Sequence, residues 1–349
     1  SSIERKKVKG IYGMYATKPI PKGKVLASFP IESLLPIRTD FDYPDETHQI
    51  TKWAHAAAIE LSKGNDAEHF GYVMLFEKLD SLQQHSAFYF SNDELELIAG
   101  MSTLCHKNII SMKNRVNTHR RRIKEIDPDL DEDFIIQAIL NTNSRCWEEY
   151  GFLPIIDLFN HSSKKGSPIV EIENTESIGI KSKIDYKAGD QIFISYGCPD
   201  LFVNAVNFNY FDPSTEHYID YGLRAAQSIK TSSSLAIAKY IATIFKCNFI
   251  ELNGNLTFEI QEPRLLFTVN GPTQQLFDYF SKTSFCTQKE FSEKKCSDQS
   301  IYKTMIRTID ALLSTNKADS YKLKDVPKKL HRFHQLLKAD KNYYCSTVK

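Results

Sequence analysis

The chain has 349 residues, of which 42% are hydrophobic and 25% are charged, so its composition is that of a folded globular protein. This length exceeds a typical single domain, and we expect two cores or one core with an insertion. The formal net charge of +1 argues against a nucleic-acid or anionic-membrane partner, and no apolar run reaches the length of a transmembrane helix. We expect an intracellular monomer, in the cytoplasm or the nucleus.

The N-terminal segment contains three stretches of interest, which are Tyr12–Thr17, Ile20–Gly23 and Val25–Pro30. Gly13 lies in the first of these stretches. A glycine there lets the backbone approach a ligand closely, so Gly13 is a candidate binding residue.

Three helices are predicted between residues 50 and 141. Apolar residues recur at helical spacing over Ile50–Leu61, and Gly64 follows as a C-cap. Ser91–Glu94 form a capping box before the apolar stripe Leu95–Leu104, and Asp131–Asn141 carry the third stripe. We interpret these stripes as ordinary core packing.

A charge run lies between the second and third of these helices. Arg115, His119–Arg122 and Lys124 are basic, and the acidic stretch Glu125–Asp133 follows at once. Such a tract can bind phosphate or an acidic protein, but flanking carboxylates cancel its far field at physiological salt. A solvated helix face followed by a loop is the favoured interpretation.

Two apolar runs lead into polar side chains. Leu153–Ile156 precede Asn160 and His161, and Ile192–Ile194 precede Tyr196. Runs of this kind are typical of strands, and polar groups at strand ends commonly build sites. We therefore expect Asn160-His161 and Tyr196-Gly197 to belong to one site.

The C-terminal region is dominated by helical periodicity. Apolar stripes recur at helical spacing within residues 237–245, 301–312 and 330–337, and Asn253-Gly254 marks a hairpin or a loop. The region predicts a helical domain, which either binds a partner or stabilises the rest of the chain.

The seven cysteines give no framework for metal or disulfides. Their number is odd and they form no Cys-x-x-Cys pair, so we expect reduced thiols and no metal site. Cys105-His106 would be the only hint of a cysteine hydrolase. Adjacent residues on a helix point in different directions, so this pair cannot form a nucleophile–base dyad unaided.

Two segments that follow one another along the chain, Asp157–Ser162 and Gly189–Gly197, together resemble the catalytic core of SET-domain methyltransferases. It is most similar to the branch that contains Rubisco large-subunit lysine methyltransferase and the actin-histidine methyltransferase. Tyr12–Thr17 and Asn143–Trp147 resemble further segments of that branch, although Ile11 replaces the first glycine of its Gly-x-Gly motif.

This resemblance implies an α+β fold with four segments. A SET β-fold with a pseudoknot-like threading is expected from residues 1–40 and 149–212. A helical insert is expected over residues 41–148, and a C-terminal all-α domain over residues 213–349. In the branch, the C-terminal domain docks the protein substrate.

The resemblance also implies S-adenosyl-L-methionine as the cofactor and Tyr196 as the catalytic residue that faces the acceptor nitrogen. Asn160 is expected at the charged end of the cofactor and His161 at the adenine, mainly through its backbone, while Arg145 either meets the cofactor carboxylate or shapes the pocket. The residues expected to bind the cofactor are Tyr12, Gly13, Met14, Arg145, Asn160, His161 and Tyr196. Those expected in the acceptor channel are Trp147, Asp157, Phe208 and Tyr210.

The expected acceptor depends on the residue shortly after Ser144-Arg145. Lysine enzymes of the branch tend to have an aromatic residue there, whereas the histidine-modifying relative has an asparagine, so Trp147 favours lysine. Phe208 or Tyr210 takes the place of a second family tyrosine, which leaves the number of methyl groups open. The alternatives are a protein-histidine methyltransferase of the same branch and a catalytically silent SET module that acts as a protein-binding scaffold.

Overall fold

The chain is described here by a computed structural model. The residues that it describes are 2–8, 11–147, 150–162, 169–174, 177–194, 196, 201–208, 219–220, 229–230, 248–252, 255–259, 266–268, 271–272 and 317–338. The chain divides into two compact units. The first contains residues 1–95, 106–199 and 203–215, and the second contains residues 96–105, 200–202 and 216–349.

The strands of the first unit are short. They are β1 (Ile3–Val8), β2 (Ile11–Ala16), β3 (Val25–Pro30), β4 (Cys146–Trp147), β5 (Gly151–Phe152), β6 (Asn160–His161), β7 (Ile169–Asn174), β8 (Ser177–Lys181) and β9 (Gln191–Ile194). The α-helices between residues 49 and 207 of the described chain follow in order. They are α1 (Gln49–Lys63), α2 (Phe70–Val73), α3 (Leu79–His85), α4 (Asn92–Met101), α5 (Thr103–Ile126), α6 (Glu132–Arg145) and α7 (Leu201–Asn207).

One four-stranded sheet, in the order β1-β2-β9-β6, brings the two predicted motifs together. β1 and β2 are antiparallel, with Ile3 opposite Ala16, and β2 continues antiparallel onto β9. β6 lies parallel to β9, so that Asn160 is paired with Phe193 and His161 with Ile194. Segments about thirty residues apart in sequence thus become neighbours.

A second sheet, in the order β3-β8-β7, packs with the first around one apolar core. Fully buried residues of this core come from both sheets and from the segment between β5 and β6. The core residues are Ile3, Met14, Ala16, Ile20, Leu26, Leu34, Leu153, Ile156, Phe159, Ile178, Ile180, Tyr186, Ile192 and Ile194. The alternation of buried and exposed residues in β9 is that of a strand with one face on this core.

The predicted helix boundaries are confirmed where capping residues set them. α1 ends at Gly64, whose φ of 57° is the left-handed conformation that glycine adopts readily. Ser91 and Glu94 form the predicted capping box, with reciprocal bonds of 2.9 and 3.2 Å. Asp131 caps α6 by accepting a hydrogen bond from the Asp133 amide at 2.8 Å.

Two features of the first unit differ from the predictions. The run Leu153–Ile156 is not a strand, because the chain turns at Ile155 and Ile156–Leu158 form a 3-10 helix that buries Ile156. The polar pair Asn160-His161 is itself the strand. The 24-residue helix α5 was not predicted as a helix of that length, because its buried stripe is narrow and most of its side chains are polar.

The second unit contains strands that the sequence prediction missed. They are β10 (Ile219–Asp220), β11 (Ile229–Lys230), β12 (Asn248–Leu252), β13 (Asn255–Glu259), β14 (Leu266–Thr268) and β15 (Gly271–Pro272). β12 and β13 form an antiparallel hairpin, which confirms the hairpin alternative at Asn253-Gly254. The expectation of an all-α domain over residues 213–349 is therefore wrong. Leu256 and Phe258 alternate with polar residues in β13, a strand period that the helical stripes elsewhere in the region obscured.

The third C-terminal stripe is helical as predicted, since residues 331–338 form a helix that buries Phe333 and Leu337. The stripes within residues 237–245 and 301–312 lie outside the described residues. The four predicted segment boundaries and the pseudoknot-like threading stay predictions. Within the described ranges, no helix is both long and apolar enough to cross a membrane.

Candidate active site

Asn160 ties the β6 strand to the N-terminal hairpin. Its side-chain amide donates from Nδ2 to the Tyr12 carbonyl oxygen at 2.8 Å, across the strand β9 that separates β6 from β2. The side chain is half-buried, and an asparagine that donates through Nδ2 keeps its amide oxygen as an acceptor. The predicted cofactor residues Asn160 and Tyr12 are thus brought together.

Gly13 makes this approach sterically possible. A Cβ atom at this position would lie 3.0 Å from Asn160 Nδ2 and 2.3 Å from Nε2 of Gln191. Gln191 is held on the strand opposite Tyr15, whose hydroxyl donates to Gln191 Oε1 at 3.2 Å. The glycine therefore leaves room for two amide side chains to converge over the β2 backbone.

The side chains of the two neighbours of Gly13 make other contacts. Met14 is 4% exposed and belongs to the apolar core opposite Ile192, so only its backbone can take part in binding. The Tyr12 side chain is half exposed and lies beneath the Arg5 guanidinium, 4.2 Å from the ring centroid. Only the carbonyl of Tyr12 faces Asn160.

His161 fixes the backbone of Tyr196. The Tyr196 amide donates to Nδ1 of His161 at 3.1 Å, so Nδ1 carries no proton in this arrangement. The imidazole is buried, and its ring centroid lies 5.2 Å from that of Tyr196. Its side chain therefore has a positioning role that the sequence did not indicate.

The Tyr196 hydroxyl is held at the inner end of this site. It donates to the Phe159 carbonyl oxygen at 3.1 Å, and its ring packs against the apolar core. Burial raises the pKa of Tyr196 to about 12, and the nearby Arg145 and Asp157 act on it with opposite sign. The phenol therefore stays protonated at neutral pH and serves as an oriented polar group rather than as a base.

Phe208 covers the other side of the tyrosine. The two ring centroids are 4.9 Å apart with an interplanar angle of 36°. Phe208 also lines a small cavity of ≈ 50 Å³, together with Glu77 and His85. Glu77 and His85 pair there at 2.9 Å. Tyr210, the other candidate for this place, lies outside the described residues.

Arg145 and Asp157 form a buried ion pair. Arg145 Nη1 lies 3.0 Å from Asp157 Oδ2, which also accepts a hydrogen bond from the Tyr72 hydroxyl at 2.8 Å, and the carboxylate side chain has no exposed surface. Arg145 donates a second bond to the Leu75 carbonyl at 3.0 Å. Of the two predicted roles for Arg145, this favours shaping the pocket.

The second carboxylate oxygen of this pair lacks a partner. Asp157 Oδ1 is buried and accepts no hydrogen bond among the residues that the structure describes. Burial raises the pKa of Asp157 above its usual range, against the opposing effect of Arg145. A buried oxygen without a donor is costly, so its presence calls for an explanation such as a bound water, an ion or a functional role.

The backbone beside Asp157 is strained. Ile155 has a φ of 67°, and it is the only non-glycine residue with positive φ among the described ones. Such a conformation is unusual for a β-branched residue and costs about 1–3 kcal/mol. The turn that it makes delivers Asp157 to the Arg145 side chain instead of continuing the strand.

Trp147 packs on the same core as Tyr196, from the short hairpin of β4 and β5. The turn of that hairpin is closed by Gly151, whose φ is 73°. A Cβ at Gly151 would lie 2.6 Å from the ring of Trp53 in α1. Trp53 thus holds the segment that carries Trp147.

The sequence did not identify Gln191, Tyr72 or Trp53 as parts of this site. Gln191 was detectable in principle, because it lies beside Ile192 in a strand that was predicted. Tyr72 and Trp53 lie on helices whose aromatic residues look like ordinary core positions, and only tertiary packing brings them here. Among the described residues, no group of three His, Cys, Asp or Glu side chains is placed to hold a metal ion.

The short strands around a converging Asn-His pair and a buried tyrosine define a SET-type site. The SET domain family model matches residues 11–197, which is more than half of the chain. The chain therefore belongs to the SET domain family.

Solved structures agree with this fold. The chain is similar to the SET domain of LSMT bound to lysine and AdoHcy, at a TM-score of 0.64 and 15% identity over 97% of this chain and 84% of that one. It is similar to Rubisco LSMT bound to sinefungin and monomethyllysine, at a TM-score of 0.63 and 15% identity over 100% and 86%. Rubisco LSMT bound to AdoMet gives 0.60 and 14% over 100% and 88%. No curated protein sequence matches the chain.

Proposed function

We propose that this protein is an S-adenosylmethionine-dependent methyltransferase that modifies the side-chain amine of a lysine in a protein substrate. The observation that carries the proposal is a fixed, protonated Tyr196 hydroxyl that lies near enough to Asp157 for this carboxylate to act on the pKa of Tyr196, while Asp157 Oδ1 has no partner among the described residues. One group can accept or donate a hydrogen bond, and the other can only accept. Together they suit an amine acceptor, which has hydrogens to donate.

The residues around Gly13 fit the amino-acid end of the cofactor. Asn160 is fixed by the Tyr12 carbonyl and retains an amide oxygen as an acceptor for an ammonium group. Gly13 has no side chain to displace the Asn160 amide, since a Cβ there would lie 3.0 Å from Asn160 Nδ2. S-adenosylmethionine would supply a methyl group already bound to a good leaving group, so the protein needs to position and shield the acceptor.

The acceptor amine must be neutral before it can accept a methyl group. The reference pKa of lysine, about 10.4, makes deprotonation cost about 4–5 kcal/mol at neutral pH, and an apolar channel lowers that cost by desolvating the ammonium. Arg145 cancels the charge of Asp157, so their pair can orient an amine through Oδ1 without strongly favouring its charged form. Trp147, Phe208 and the ring of Tyr196 supply apolar walls.

His161 and Phe159 keep the tyrosine in place. The imidazole accepts the Tyr196 amide proton, and the Phe159 carbonyl accepts the hydroxyl proton. Both hydrogen bonds fix Tyr196, whose hydroxyl we propose contacts the acceptor nitrogen. Because these groups are fixed before the substrate arrives, little reorganisation is needed when charge develops at the reacting atoms.

The test uses labelled cofactor and a proteome extract from which endogenous small molecules have been removed. The protein should transfer label to a discrete protein band, and tandem mass spectrometry should place the methyl group on a lysine ε-nitrogen. Label on a histidine ring would support the alternative acceptor. No transfer together with no S-adenosylhomocysteine binding by calorimetry at millimolar ligand would favour a catalytically silent module.

A chelator control accompanies this assay. A strong chelator should leave both S-adenosylhomocysteine binding and methyl transfer unchanged, because the proposed chemistry uses only protein side chains and the cofactor. Loss of transfer in chelator, with recovery on adding a metal, would contradict the proposed mechanism.

A further inference from the structure

A wide groove runs along one face of the long helix α5. Its volume is ≈ 820 Å³, within the range of ligand-binding clefts in proteins. The helix contributes residues spaced three and four apart, from His106 and Lys107 to Arg115 and His119, and the opposite wall comes from the start of α1. The other face of α5 is buried in the core through residues such as Ile109 and Met112.

The groove is lined by basic side chains without carboxylates. Five basic residues line it, and no aspartate or glutamate is among the described residues that do so. They are the cations Lys107 and Arg115 and the three histidines His48, His106 and His119, of which His119 is neutral at neutral pH because burial lowers its pKa to about 4. Within the described part of the chain, none of the five forms an ion pair with an acidic side chain.

Arg115 in particular lacks a counter-ion. Its single described bond is a long one, 3.4 Å from Nη2 to Asn207 Oδ1. Although the residue is exposed, the groove walls remove enough water from the guanidinium to lower the pKa of Arg115. Desolvating a cation without pairing it is unfavourable, so the position is suited to an incoming carboxylate.

The adjacent basic residues of the same helix behave differently. Arg120 pairs with Glu132 at 2.7 Å, and Arg122 pairs with Glu125 at 3.0 Å. Arg121 lies 3.9 Å from Glu125 and has 68% of its side chain exposed. The basic run of the sequence therefore separates into a neutralised end and an unpaired groove.

The groove leads toward the candidate active site. Asn207, which receives the Arg115 bond, precedes Phe208, whose ring lies 4.9 Å from that of Tyr196. Asn143 lines the groove and also lines the small cavity beside Phe208, and it lies two residues before Arg145, the partner of Asp157. A polypeptide bound in the groove can therefore extend toward the acceptor site.

We infer that this groove binds an acidic stretch of the protein substrate, next to the residue that is modified. The inference rests on the proposed function for its occupant, but the charge and shape of the groove are independent of it. Ile50 and Ile110 add apolar surface, so an acidic segment with an interspersed apolar residue suits the groove best. Arg115 and Lys107 then act as specificity-determining residues.

Other anions fit the groove less well. Inorganic phosphate occupies a small fraction of such a volume, and the apolar walls offer it nothing. Nucleic acid binding usually relies on a large positive field, whereas this chain has a net charge of +1. A peptide supplies both carboxylates and apolar side chains.

The test measures binding of two fluorescein-labelled dodecapeptides to the full chain by fluorescence anisotropy. Both have a central lysine and two leucines, and the flanking glutamates of the first are replaced by glutamines in the second. The acidic peptide should bind at least about tenfold more tightly, and the preference should weaken at high salt. Arg115→Glu should reduce the affinity for the acidic peptide by about tenfold, whereas the matched reversal Arg121→Glu should leave it unchanged.

Three results would overturn the inference. They are equal binding of the two peptides by the parent protein, equal losses in the two variants, and displacement of the acidic peptide by inorganic phosphate at matched ionic strength. Calorimetry with S-adenosylhomocysteine on the same preparations separates this inference from the proposed function. A parent that binds the acidic peptide but not S-adenosylhomocysteine would contradict the function and leave the groove assignment standing.

Discussion

Replacing Gly13 with alanine isolates the contact on which cofactor binding is proposed to depend. The backbone of Gly13 lies in a strand outside the left-handed region, so alanine is compatible with its conformation. The added methyl group instead meets Gln191 Nε2 at 2.3 Å and Asn160 Nδ2 at 3.0 Å. Gln191 can move because its side chain is flexible, but Asn160 must then shift from the Tyr12 carbonyl.

The expected effect on affinity follows from that one hydrogen bond. The bond from Asn160 to Tyr12 is 2.8 Å long, and a bond of this kind contributes about 0.5–1.5 kcal/mol net. Its loss should weaken S-adenosylhomocysteine binding by about two- to tenfold. Gly→Ala at a compatible position stabilises a fold by about 0.4–1 kcal/mol, which offsets the displacement of Gln191. The unfolding midpoint should therefore change by no more than about 4 °C.

Calorimetry with S-adenosylhomocysteine and thermal unfolding would be measured on Gly13→Ala, Gln191→Ala and the double variant. Gln191→Ala alone should bind nearly as the parent does. The double variant should recover part of the lost affinity, because Asn160 can move into the space that Gln191 leaves. A folded Gly13→Ala variant that binds S-adenosylhomocysteine as tightly as the parent would refute the proposed role of Gly13 and Asn160 in cofactor binding. A double variant that binds it no more tightly than Gly13→Ala would refute that role as well.

Three further predictions concern stability. Gly151→Ala should lower the free energy of unfolding by about 2–5 kcal/mol, because alanine is strained at a φ of 73° and its Cβ would meet the Trp53 ring, as thermal unfolding can test. Asp157→Asn should cost about 1–3 kcal/mol in chemical unfolding, because Arg145 loses its counter-ion while the amide oxygen still accepts hydrogen bonds. His119 has a folded pKa of about 4, lowered from 6.5 mainly by burial and further by His48 and Arg115. Its neutral form stabilises the fold above pH 6.5 and this contribution is lost as the pH falls toward 4, so His119→Gln should flatten the unfolding midpoint over that window.

The first two of these predictions have matched control variants. Gly189→Ala carries the same backbone strain, with a φ of 88°, but its Cβ meets nothing within 4 Å, so it should cost less than the Gly151 variant. Asp40→Asn removes one partner of an exposed pair with Arg38 and should leave the midpoint unchanged. Equal losses of stability in Gly151→Ala and Gly189→Ala, or in Asp157→Asn and Asp40→Asn, would contradict the first two arguments. Unfolding midpoints that depend on pH in the same way in the parent and in His119→Gln would contradict the third.

The sequence allowed the site to be predicted where residue types are restricted by chemistry. Asn160, His161 and Tyr196 are found together because β6 and β9 are neighbours, as their ordered motifs indicated. Gly13 was also predictable, since glycine is required where side chains converge on a strand. The same patterns could not show that Arg145 binds Asp157, because a pairing across twelve residues depends on the turn at Ile155.

The fold was predictable where local signals act alone. Caps at Gly64 and Asp131 set helix ends by short-range hydrogen bonding, and the sequence displays them directly. The missed strands β12 and β13 are stabilised by pairing with each other, which depends on register as well as on composition. The run Leu153–Ile156 looked like a strand because so short an apolar run has no periodicity that distinguishes a turn from a strand.

The most direct test of the central claim is the methyl-transfer turnover of Tyr196→Phe, on the substrate that the labelling assay identifies. The substitution keeps the ring against Phe208 and removes the hydroxyl that donates to the Phe159 carbonyl, so stability should fall by only about 1 kcal/mol. S-adenosylhomocysteine affinity should stay near that of the parent. Turnover should fall by about a hundredfold or more, as for other fixed polar groups that contact a reacting centre. Near-parental turnover by the folded variant would show that the acceptor nitrogen does not meet Tyr196, and the proposed active site would be wrong.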